Sequence, residues 1–147
     1  MTFRLDPRLD RDSIFIADGP LSQLRLMDDA RFPWLLLVPR VADAAELVDL
    51  DGGEQRLLLA EINLASRLLR VTGRCDKLNV GALGNIVRQL HVHVLARVEG
   101  DAAWPGPVWG HATAIPFSPA ERASRIADLR ERLTTPQVFG SVTPVWP

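Results

Sequence analysis

One stretch constrains this chain more than any other: Lys77 to Arg97, KLNVGALGNIVRQLHVHVLAR. From Gln89 onward Gln89, His91 and His93 alternate with Leu90, Val92 and Val94. Side chains of a strand point to opposite faces in turn, so this alternation predicts a strand with one apolar and one polar face. Together with the glycines at 81 and 84 the stretch predicts strand, glycine turn, strand. Two of the chain's three histidines then stand side by side on the polar face of the second strand. Such a ribbon cannot stand alone; it requires further strands beside it and something apolar to cover its inner face.

The rest of the chain supplies both. Ser13 to Ala17 and Leu21 to Met27 are strand-like and separated by Asp18-Gly19-Pro20, a turn signal. In the second of them Leu24 and Leu26 alternate with Gln23, Arg25 and Met27, which predicts one buried face. Trp34 to Val38 is a continuous apolar run between Pro33 and Pro39, the pattern of a strand buried on both faces. The period then changes. Asp51 with Glu54 has the form of a capping box. Beyond it Leu58, Ile62, Ala65 and Leu69 recur at helical spacing, widened by Leu57, Leu64 and Leu68. A long amphipathic helix is expected from about Gly53 to Arg70, ending near Gly73, with a short helix within Val41–Leu50 leading into it. Ser118-Pro119-Ala120-Glu121 opens a second helix running to about Leu133. Residues 3–13, broken by Pro7, read as an N-terminal arm or short helix. Strands joined without alternating helices favour an antiparallel sheet covered by a helix, an α+β domain. The chain is expected to form one domain over residues 1–147, with a core of about 13–110 and a C-terminal helix and tail over 111–147. The tail carries apolar pairs suited to packing on the domain or on a partner.

Composition narrows the partners. A formal charge of −1 argues against bulk electrostatic binding to a nucleic acid polymer or a membrane surface. Lys77 is the only lysine, so arginine carries the positive charge. Cys75 stands alone and cannot form an intrachain disulfide, no apolar run reaches the length of a bilayer span, and the charged N-terminus resembles no signal peptide. The expected setting is the cytoplasm.

Two histidines at i and i+2 on a strand admit three readings. They can be polar residues of a solvated face, they can act on an anion as nucleophile and hydrogen-bond donor, or they can ligate a metal. The metal reading is the weakest, because no cysteine or acidic cluster accompanies the pair. A neutral imidazole is a competent nucleophile towards phosphorus when its other nitrogen is held by an acceptor. A glycine turn brings backbone N–H groups close to an anion.

The wider pattern resembles the histidine-triad (HIT) superfamily, whose signature strand is His-φ-His-φ-His-φ-φ with φ apolar. Asn79-Val80-Gly81, Gly84-Asn85-Ile86-Val87 and Gln89-Leu90-His91-Val92-His93-Val94-Leu95-Ala96-Arg97 carry the likeness. Leu26 to Arg40 is similar to the family's ribose-binding loop and the buried strand that follows it. The resemblance implies a HIT-like fold: an antiparallel sheet of about five strands, one long helix and a C-terminal helix. It implies a hydrolase or transferase acting on a nucleoside phosphate, of the dinucleoside polyphosphate or nucleoside phosphoramidate class, through a nucleotidyl-histidine intermediate. His91 matches the nucleophile and His93 the third histidine, which contacts phosphate. Asn79 and Asn85 match positions that meet the phosphate or the bridging region, Gly84 belongs to the glycine turn that would bind substrate beside them, and Asp28 or Asp29 matches the residue that binds ribose hydroxyls. Trp104 and Trp109 are candidates to stack on a base or to close over the neighbouring subunit's site; in the plainer reading they anchor their loop. Arg97 is either a phosphate contact or a solvated strand end. The expected ligand is a purine nucleotide or a related small molecule, no metal or other cofactor is implied, and a homodimer is expected.

Two departures qualify this. Gln89 stands where the first triad histidine belongs, and Asn85 replaces a longer glutamine. Gln89 hydrogen-bonds but does not titrate. The alternative reading is therefore a nucleotide-binding module with little or no turnover.

Overall fold

The computed structural model describes residues 1–136. The apolar pairs of the C-terminal tail lie beyond them. Helix α1 (Pro7–Asp12) leads directly into strand β1 (Ser13–Asp18), followed by β2 (Ser22–Met27) and β3 (Trp34–Pro39). The long helix α2 (Gly52–Thr72) comes next, then β4 (Lys77–Gly81), β5 (Val92–Arg97) and α3 (Pro119–Arg132). The five strands form one sheet in the order β1-β2-β3-β5-β4, every neighbouring pair antiparallel. This is the expected α+β architecture.

The helix starts follow from their caps. Asp51 accepts from the N–H groups of Gly53 and Glu54 while Glu54 reaches back to the Asp51 N–H. Ser118 and Glu121 repeat the arrangement at α3. Each box satisfies donors that the first helical turn leaves without partners. The expected short helix within 41–50 shrinks to a single 3-10 turn, Leu47–Asp49, where the Asp49 carboxylate gathers the N–H groups of Ala45 and Glu46.

The sheet is buried on both sides. On one, Leu58, Leu64, Ala65, Leu68 and Leu69 of α2 pack against Leu24, Leu26, Leu35, Leu37, Val92, Val94 and Ala96. On the other, Trp34, Leu36, Val38 and Leu95 meet Leu9 of α1, Phe32 and Val108. Two polar residues inside this frame correct the simple alternation. Arg25, expected on an open face, is buried, because its guanidinium donates to Ser13, Asp10 and Gln23. Glu61 of α2 is fully buried, and its Oε1 accepts from the N–H groups of Leu21 and Ser22, tying the helix to the β1–β2 turn.

Candidate active site

The histidine face is the one covered by α1 and by the loop after β5. His91 and His93 are only 7% and 5% exposed, so they do not stand on a solvated face. Strand β5 also begins later than alternation suggested, at Val92. Before it the chain peels away from the sheet, where Leu90 N–H donates to Ala44 and the Gln89 side chain turns to the N-terminal arm. His91 therefore sits at the mouth of the strand and His93 within it, paired with Leu36 of β3 and Gly81 of β4.

The partners of the two rings decide their tautomers. His91 Nδ1 lies 2.7 Å from the Gln89 carbonyl oxygen, which only accepts, so Nδ1 carries a hydrogen and the neutral ring has its lone pair on Nε2. His93 Nδ1 lies 2.9 Å from Trp34 Nε1, which only donates, so the neutral His93 carries its hydrogen on Nε2. The rings meet edge-on with centroids 4.9 Å apart. Burial, with a smaller contribution from neighbouring His91, pushes the His93 pKa down to about 3. In their neutral forms His91 thus presents an Nε2 lone pair and His93 an Nε2–H.

Both rings line an open cavity of about 470 Å³. Its walls include Leu9, Met27, Leu83, Ile86 and Trp109, and its polar groups besides the histidines include Asn85 and Asp12. Trp109 packs edge-on against His93 at 5.4 Å. It comes so close to β4 that a Cβ on Gly81 would lie 3.2 Å from its ring, which is a reason for glycine there. Gly84 has φ +73°, a left-handed conformation that favours glycine, and it brings the turn to the cavity rim. A second cavity of about 370 Å³, lined by Asp28, Asp29, Arg11 and Arg31, adjoins the first. The two share Asp12, Met27, Trp34 and Gly110.

The expected site residues divide accordingly. His91, His93, Gly84 and Asn85 meet in one cavity. Asp28 and Asp29 line the adjoining one, but Asp29 is 1% exposed and its carboxylate is engaged by the Arg31 side chain and N–H and by the Ile115 N–H. The Arg31 guanidinium and these N–H bonds hold it below the ordinary carboxylate pKa in spite of burial. Asp28 gives one oxygen to the Phe117 N–H. Asn79 is on the histidine face, but its Oδ1 accepts from Arg97.

Trp104 does not line the histidine cavity. It lies against the Arg97 guanidinium at 5.7 Å, and Trp109 takes the place by the histidines. Arg97 is not a solvated strand end. It is buried, makes paired bonds to Asp101 at 2.8 and 2.9 Å, and has the Phe32 ring 6.0 Å away. Gln89 contributes its backbone oxygen to His91, while its side chain amide bonds the arm. Trp34, the donor to His93, carries no local sequence signal of a place in the site. Its role depends on β3 lying beside β5 in a particular register. Among the described residues no group of three or more His, Cys, Asp or Glu side chains is arranged to hold a metal ion, and no helix is long and apolar enough to cross a membrane.

A five-stranded antiparallel sheet with a long helix on one face and a paired-histidine cavity on the other defines a HIT-like protein. The HIT domain family model matches residues 8–100, and the chain belongs to that family. It is similar to a histidine triad protein from Bradyrhizobium japonicum, with 49% identity over 89% of this chain and 98% of that one and a TM-score of 0.86. A histidine triad protein from Sinorhizobium meliloti 1021 shares 50% identity over 88% and 96% of the two chains, at TM-score 0.85. One from Marinobacter aquaeolei VT8 shares 40% identity over 89% and 96%, at TM-score 0.83. No protein of curated function matches the chain significantly. Members of the HIT family are generally nucleotide hydrolases or transferases.

Proposed function

We propose that this protein is a hydrolase or nucleotidyl transferase that acts at the α-phosphorus of a nucleoside phosphate. The observation that supports this best is the pair of opposed tautomers: His91 with a free Nε2 lone pair, His93 with an Nε2–H. His91 Nε2 attacks the α-phosphorus, the bond to the leaving group breaks, and the leaving group departs with the bonding pair and a proton taken from solvent water. His93, held neutral by burial, donates a hydrogen bond to a phosphate oxygen without giving up its proton. Water then attacks the nucleotidyl-histidine, the P–N bond breaks with its electron pair returning to His91 Nε2, a proton of the attacking water passes to solvent, and the nucleoside monophosphate is released. The same intermediate passed to another acceptor gives transfer.

Among the described residues no arginine or lysine lines the histidine cavity, and its walls are mostly apolar. That favours a leaving group of low charge, and so a nucleoside phosphoramidate over a dinucleoside polyphosphate. The decisive experiment measures turnover of both substrate classes by the wild type and by His91→Ala. Loss of activity by at least ~10³-fold with the phosphoramidate is expected; unchanged turnover of both in the variant would sink the proposal.

A second reading, a nucleotide-binding module with little turnover, is favoured by one observation. The Gln89 amide faces the N-terminal arm and His93 is neutral, so neither supplies a proton to a poor leaving group. Calorimetry with AMP beside a sensitive hydrolysis assay separates the two: binding without hydrolysis selects the module.

A further inference from the structure

The Gln89 side chain holds the N-terminal arm as a backbone neighbour would. Its Oε1 accepts from the Asp6 N–H at 2.8 Å and its Nε2 donates to the Arg4 carbonyl at 2.8 Å. A carboxamide carries acceptor and donor in one plane, like a peptide group, and so pairs with two main-chain groups of an extended segment. The arm so held is not peripheral. Phe3 and Leu5 pack onto the histidine side of the sheet, and Leu9 and Asp12 form part of the cavity wall. A second tie follows two residues later, where Arg8 Nη1 donates to the Ile86 carbonyl at 3.0 Å in the loop that carries Gly84 and Asn85.

We propose that Gln89 is a positioning residue that shuts the histidine cavity on its arm side. Its backbone oxygen orients His91, and its amide fixes Arg4–Asp6 and through them α1 and the 84–87 loop. An imidazole at 89 places its donor and acceptor on opposite edges of a ring and cannot span the same two groups. Gln89 therefore does not stand in for a missing histidine; the arm has claimed its position. The effect on ligand rests on the nucleotide reading above, whereas the effect on the arm does not.

The test uses amide hydrogen exchange on the full chain for wild type, Gln89→Ala, Gln89→His and Gln89→Glu, with AMP affinity measured alongside. Exchange over residues 4–12 is expected to rise about 10- to 30-fold in Gln89→Ala and Gln89→His, while β3 and β5 stay protected. Gln89→Glu keeps the acceptor and loses the donor, so it should fall between them and wild type. AMP affinity should drop about 10-fold in Gln89→Ala and should not recover in Gln89→His. Arm exchange unchanged in Gln89→Ala, or wild-type protection restored by Gln89→His, overturns the proposal. If AMP binds none of the four proteins while arm exchange still rises, the nucleotide reading fails and the positioning role stands.

Discussion

Replacing Trp34 by phenylalanine tests the origin of the two tautomers. Trp34 is 6% exposed, and its indole N–H is the donor to His93 Nδ1 at 2.9 Å. Phenylalanine keeps the edge-on contact with Phe32, at 6.4 Å between centroids in the wild type, and removes the donor. Leaving a buried acceptor without its partner costs about 1–3 kcal/mol. The smaller ring leaves a void worth roughly 1 kcal/mol more. The variant should therefore lose about 2–4 kcal/mol, a large part of the roughly 5–15 kcal/mol of an ordinary domain. The chemical effect is separate. Without the indole, His93 is free to place its hydrogen on either nitrogen, and the donor at Nε2 is present only part of the time. Turnover should fall about 10-fold, in line with one weakened hydrogen bond at the transition state. Urea denaturation gives the first quantity, and nitrogen-15 NMR of the imidazoles reads the tautomer directly. A wild-type spectrum with His93 protonated at Nδ1 would refute the assignment. So would a variant that loses less than ~0.5 kcal/mol and keeps the Nε2–H form, since the missing bond should cost at least that.

Two further outcomes are expected. The His93 pKa falls from 6.5 to about 3 on folding, so between those values the unfolded chain takes up a proton that the folded one refuses. This contribution is complete above pH 6.5 and is lost as pH falls, by at most about 1.4 kcal/mol per unit. Urea midpoints between pH 7.5 and 4.5 (a range chosen above most carboxylate titration) should decline in the wild type and be flatter in His93→Gln; equal slopes contradict it. Asp101→Ala should destabilise by about 3–5 kcal/mol, because it strands the Arg97 charge in a site where that residue is 2% exposed. Thermal unfolding of the variant checks this, and a shift of less than a degree or two would place Arg97 in contact with water instead.

Local pattern carried the fold a long way. The capping boxes at Asp51 and Ser118, the double-sided burial of Trp34 to Val38 and the turn at Asp18–Pro20 are properties of a few neighbouring residues, and each appears where the spacing places it. Burial of charge was less legible. Arg25, Glu61 and Arg97 are inside because distant groups satisfy them, and hydropathy periodicity records nothing about distant groups. Trp104 and Trp109 lie in one Gly/Pro-rich loop with similar surroundings in sequence. Only the path of that loop across the sheet sends one to Arg97 and the other to His93.

At the histidine strand the division is sharpest. Sequence alone placed His91 and His93 within reach of each other, since two residues apart on an extended chain means the same side. What it could not assign was a tautomer, because that depends on which group faces each Nδ1. For His91 the group is a backbone oxygen two residues away, and for His93 it is an indole fifty-nine positions earlier. The role of Gln89 was hidden for the same reason: its partners lie more than eighty residues away, at Arg4 and Asp6. Strand register and the turn of the chain at Gln89, set by tertiary packing, give two histidines of one strand face opposite tautomers.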